Sequence, residues 1–177
     1  DNIEGDWSEP AWIDQGGIDP SLFWDDDDTC YYCSTGVLDG VRGIVAFAIN
    51  PMTGEISSDK HLISEGCGGQ CAEGPHIYKK DGMYYLMIAE GGTEYAHRET
   101  IQRAASVWGP YTPCPDNPII SHKEYKKSEI QATGHADLID DENGNWWLVF
   151  LGIRRFSHAL LHNLGRETFL APVTWKD

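Results

Sequence analysis

The chain has 177 residues, a formal net charge of −15 from 13 Lys+Arg against 28 Asp+Glu, and a hydrophobic fraction of 41%. That length makes one domain or part of one, with enough apolar material for a core. The negative surplus disfavours nucleic acid and anionic lipid as partners, and no apolar run approaches the ~20 residues of a membrane helix.

The opening residues Asp1 to Trp7 carry neither the basic nor the apolar region of a secretory signal, which leaves localisation open between cytoplasmic and secreted. From Asp19 onward three segments share one grammar. The first runs Asp19-Pro-Ser-Leu-Phe-Trp into Asp25–Asp28 and out through Tyr31-Tyr32. The Asp25–Asp28 run lacks the alternating spacing and distal Glu of a calcium loop and reads as a solvated hairpin tip. Cys30 and Cys33 invite a zinc reading with Cys67 and Cys71. Three apart on a strand, however, Cys30 and Cys33 point to opposite faces, so ordinary thiols are expected.

Gly43–Ile49 is a further strand, closed by the turn Pro51–Gly54. The second repeat, Glu73-Gly-Pro-His-Ile-Tyr, turns at Asp81-Gly82 and emerges through Tyr84-Tyr85; Ile101–Val107 follows as another strand. The third, His135-Ala-Asp-Leu-Ile, turns at Asn143-Gly144 and emerges through Trp146-Trp147. Asp-Gly and Asn-Gly are the pairs that tight hairpins with positive φ require. Ser157-His158 and His162 suggest a hydrolytic triad only weakly, because no Gly-x-Ser-x-Gly elbow is present.

The repeats start at 19, 73 and 135, so their spacing suits a four-stranded blade with its loops. The expected architecture is all-β: a single partial β-propeller domain over residues 1–177, of about three blades of four-stranded antiparallel sheet. An open arc of that kind leaves apolar blade faces uncovered, so self-association or further blades are expected to cover them. In a propeller the first strand of each blade lies nearest the axis. Asp19, Glu73 and His135 are then expected on one rung, facing a common cavity. Paired carboxyls in a cleft are what glycoside hydrolysis needs.

At these residues the sequence resembles glycoside hydrolase family 43, the five-bladed β-xylosidases and α-L-arabinofuranosidases. The matching segments are Gly17–Phe23, Glu73–Tyr78, Tyr84–Tyr95, Gln131–Asp137 and Leu164–Trp175. The resemblance implies that Glu73 is the general acid and that Asp19 modulates its pKa and orients it. It implies that His135 supports the sugar site or meets an axial calcium through water, and that Arg166 binds substrate hydroxyls. No cofactor is otherwise required. The substrate would be a xylo- or arabino-oligosaccharide.

The family inverts, and its base lies in an Asp-Pro motif about two blades before the acid. Asp19 precedes Glu73 by one blade, which makes it the modulator. The chain is therefore expected to begin within the second blade and to lack the base, leaving it inactive alone. The alternative expectation is a noncatalytic carbohydrate-binding or assembly module on the same scaffold.

Overall fold

The computed structural model describes residues 2–156 and 161–176; Ser157 and His158 lie outside the described residues. Twelve strands and no helix occur among the described residues. They are β1 (Ile18–Trp24), β2 (Cys30–Leu38), β3 (Val41–Ile49), β4 (His61–Ser64), β5 (Glu73–Lys80), β6 (Met83–Glu90), β7 (Arg98–Ala104), β8 (Thr112–Pro113), β9 (Ile120–Ser121), β10 (Ile130–Asp140), β11 (Trp146–Arg154) and β12 (Arg166–Val173). They form three antiparallel sheets in the orders β1-β2-β3-β4, β5-β6-β7-β8 and β10-β11-β12, with β9 also pairing with β7.

Each repeat is a β-hairpin, and its aromatic pair sits at the start of the second strand, where ring burial favours a pleated surface. Only the first sheet has four full strands. The second ends in the two-residue strands β8 and β9, and the third has three strands among the described residues. The prolines explain the short β8, since Pro113 donates no ladder hydrogen bond and confines the strand to an edge. The turns differ as well. Asp81 and Gly82 both take positive φ, 52° and 75°. At Asn143-Gly144 only the glycine does. There Asp141 closes a longer loop by accepting from Asn143 N and Asn145 N, each at 2.9 Å.

The sheets stack face to face. Cys33, Ile44 and Ala46 of the first meet Ile77, Leu86 and Ile88 of the second. Met87 of the second meets Leu138, Leu148 and Phe150 of the third. The alternation of one strand thus feeds two interfaces, as Leu86 and Met87 illustrate. Cys30 packs with Tyr32 and Phe47 on the opposite face of the first sheet from Cys33, so their sulfurs do not converge. Burial pushes the Cys33 thiol up to about 12.

The outer face of the third sheet stays apolar and open, whereas that of the first is largely covered, with Val45 and Phe47 fully buried in a cluster that Ile13 and Ile56 pack against. On the third sheet Ile139 is 56% and Leu170 62% exposed, and Leu22 and Trp24 are exposed on β1. Between the first two sheets the rim is tied by Asp25, which accepts from Lys79 and Tyr84.

Candidate active site

The same irregularity opens all three sheets. Ile18 and Ser21 face Thr35 and Cys33; Glu73 and His76 face Ala89 and Met87; Gly134 and Asp137 face Leu151 and Val149. In each case three steps on the first strand match two on its partner, which is a β-bulge. The residue after each first position is left-handed: Asp19 at φ 55°, Gly74 at 59° and His135 at 52°. Asp19, Gly74 and His135 are therefore the equivalent residues. The expectation that Glu73 shares their rung needs correcting, because Glu73 stands one residue earlier. Such backbone costs ~1–2 kcal/mol for a residue with a Cβ, and it clusters where function constrains geometry.

The three equivalent positions meet in space. Asp19 Oδ2 accepts from Gly74 N at 3.2 Å. A Cβ added to Gly74 would lie 3.0 Å from His135 Nε2 and 3.1 Å from Cε1. The middle repeat thus gives up its side chain so that the Asp19 carboxylate and the His135 ring can close on the peptide that follows Glu73. Glu73, Asp19 and His135 are all half-buried, accessible yet sheltered. Substituting Gly74 with Ala should displace the His135 ring and strain the backbone. We expect a Tm lowered by a few degrees and an altered His135 imidazole resonance, both readable on the purified chain.

Side chains of the second sheet hold the third in place. His97 is fully buried and donates from Nδ1 to Ala132 O at 3.1 Å. Glu99, also fully buried, accepts from Ala136 N at 2.9 Å through Oε2. Burial pushes the Glu99 carboxyl well above its usual range, against the pull of the Ala136 and His135 amides. These two bonds flank His135 and pin its bulge from across the interface. Tyr78 donates to Asp137 and accepts from Leu138 N at 2.8 Å. His76 Nδ1 stands 3.5 Å from Asp137 Oδ1. Burial lowers the His76 pKa, and the charges of Asp137, His135 and Asp19 also bear on it.

Arg166 opens β12 opposite Ile153 and is exposed. By register it matches His97 in the second sheet and Arg42 in the first. It lies close enough to His97 to add to the burial that lowers that imidazole's pKa. Arg166 therefore belongs to the same end of the sheets as Asp19, Glu73 and His135. His76, Asp137, His97 and Glu99 were not singled out from the sequence. His76 and Asp137 stand inside the repeat motifs, three residues after Glu73 and two after His135. Nothing in the spacing of His97 and Glu99 pointed to β10.

Calcium takes ~6–8 oxygen ligands. Around His135 the donors are the rings of His76 and His97 and the Asp19 carboxylate. Among the described residues no group of three His, Cys, Asp or Glu is placed to hold an ion. That set does not supply the oxygen ligands for holding calcium directly.

The family model for glycosyl hydrolases family 43 matches residues 1–177. A non-reducing end α-L-arabinofuranosidase of Bacteroides ovatus is 45% identical over 98% of the chain and 32% of its own length. A xylosidase/arabinosidase of Humicola insolens is 37% identical over 100% of the chain and 34% of its length. Among solved structures, a xylan β-1,4-xylosidase from Bacillus halodurans superposes with a TM-score of 0.90 at 37% identity, over 99% of this chain and 34% of that one. The chain spans about a third of the length of the relatives it matches.

Proposed function

The chain belongs to glycosyl hydrolase family 43, and on that premise we propose that it supplies three blades of a five-bladed propeller and the acid side of an inverting exo-glycosidase. The substrate is a xylo- or arabino-oligosaccharide derived from hemicellulose, from which a terminal pentose is released. The reading is carried by one observation: Asp19 and His135, equivalent residues of different sheets, close on the Gly74 peptide beside Glu73.

In this reading Glu73 gives its proton to the glycosidic oxygen as the bond from the anomeric carbon breaks, and the electron pair leaves with that oxygen. A separate base, ~6.5–9.5 Å from the acid across the sugar, takes a proton from a water that attacks the anomeric carbon on the opposite face. Asp19 orients the acid through the Gly74 peptide. His135 and Arg166 hold sugar hydroxyls and keep the ring in register for in-line attack. A hydrated calcium beside His135 would add positive charge to the cavity.

The base is expected in an Asp-Pro motif about two blades before Glu73, outside residues 1–177. The purified chain should accordingly hydrolyse aryl β-xylosides and aryl α-L-arabinofuranosides at least ~10²-fold more slowly than the gene product that also contains that motif. Equal turnover by the two would sink the assignment of the base. Binding of xylose or arabinose with no hydrolysis by any longer form would favour a carbohydrate-binding module instead.

A further inference from the structure

Seventeen residues after Glu73, a second glutamate is fully buried at the end of β6. Both oxygens of Glu90 are engaged. Oε1 accepts from Cys67 N at 2.7 Å and Gly69 N at 3.1 Å. Oε2 accepts from Arg98 Nη2 at 2.9 Å and Nε at 3.3 Å. A buried carboxylate is tolerable only when paired and hydrogen-bonded in this way, and removing its partners is costly.

The loop is shaped to the pair. A Cβ on Gly66 would stand 2.8 Å from Glu90 Oε1, and one on Gly69 would stand 2.5 Å from Arg98 Nη2 and 2.7 Å from Glu90 Oε2. Gly91 N donates to Gln70 O at 2.7 Å, which extends the attachment by one residue. Only two residues separate Gln70 from Glu73: Cys71, left-handed at φ 54°, and the buried Ala72 lead straight into it. On the other side Glu73 pairs with Ala89, the immediate neighbour of Glu90. The end of β6 therefore grips Glu73 twice, by its backbone at Ala89 and by its Glu90 side chain through the loop.

We propose that Glu90, with Arg98 as its counter-ion, is a positioning residue that sets the approach of Glu73 to the glycosidic oxygen by fixing the 66–70 loop. The inference rests on the reading of Glu73 as the acid. A misplacement of about 1 Å in such a group costs as much as ~10²-fold in rate. That cost falls on substrates whose leaving oxygen must be protonated. It spares those whose leaving group departs unaided.

The test compares wild type with Glu90→Gln in the full gene product, on a pentose disaccharide and on the matching 2,4-dinitrophenyl glycoside. Glu90→Gln should lower kcat on the disaccharide ~10–100-fold and on the dinitrophenyl glycoside less than about threefold. Hydrogen exchange should rise across residues 66–74 and stay unchanged across 44–49. An equal fall on both substrates, or loop exchange like that of wild type, overturns the proposal. If Glu90→Gln does not fold, Gly69→Ala, whose Cβ crowds Arg98 and Glu90 while both residues are kept, displaces the loop and is judged by the same outcomes. A wild type that hydrolyses neither substrate defeats the glycosidase reading itself. The exchange data then decide whether Glu90 fixes this segment.

Discussion

Replacing Glu73 with Gln in the gene product containing this chain should cut the rate on pentose disaccharides ~10²–10⁴-fold, the usual range for losing a positioned general acid. That corresponds to ~3–5 kcal/mol of transition-state stabilisation. The glutamine keeps the shape and the β5 pairing with Ala89 but has no proton to give, so sugar binding should change little. The deficit should shrink on dinitrophenyl glycosides, whose leaving group needs no protonation. Steady-state kinetics on the two substrates checks this, and an undiminished disaccharide rate would remove Glu73 from the reaction. Asp19→Asn should lower the rate as well, through the Gly74 peptide it holds.

Replacing Leu86 with Ala should destabilise the chain by ~2–5 kcal/mol, the cost of lost burial plus the cavity left behind. Leu86 is fully buried where the first and second sheets meet, among Cys33, Ile44 and Ile77. Leu170→Ala, on the open face of the third sheet, serves as the control and should cost less than about 0.5 kcal/mol in the same chain. Urea denaturation should show the midpoint for Leu86→Ala falling at a nearly constant slope. Equal costs for the two substitutions would mean that the sheets do not stack through Leu86.

The hairpins were legible because their signals are local. Asp81-Gly82 marks a turn through backbone freedom, and Tyr31-Tyr32, Tyr84-Tyr85 and Trp146-Trp147 mark strand starts through β propensity and burial. The opposed thiols of Cys30 and Cys33 follow from the two-residue period of a strand. Starting the repeats at 19, 73 and 135 nonetheless misplaced Glu73 by one residue. All three repeats carry the bulge; the second closes its hairpin with two residues, Asp81-Gly82, where the third uses five, Asp141 to Asn145, so the left-handed position falls on Gly74 and not on Glu73.

His97, Glu99 and Glu90 show where sequence reading stops. Each is a polar side chain with partners far off in sequence, on β10 or on the glycine loop, and Glu90 adds Arg98 on the paired strand. A buried charge or imidazole is stable only once those distant donors and acceptors are assembled, so its role does not exist until the sheets have packed. Repeat period, strand order within hairpins and the chemistry of Glu73, Asp19, His135 and Arg166 are properties of the chain taken segment by segment. Which of them touch and which buried acid steadies the loop before Glu73 were decided by the stacking of one sheet on the next, because only that stacking brings far-apart backbone and side chains within hydrogen-bond range.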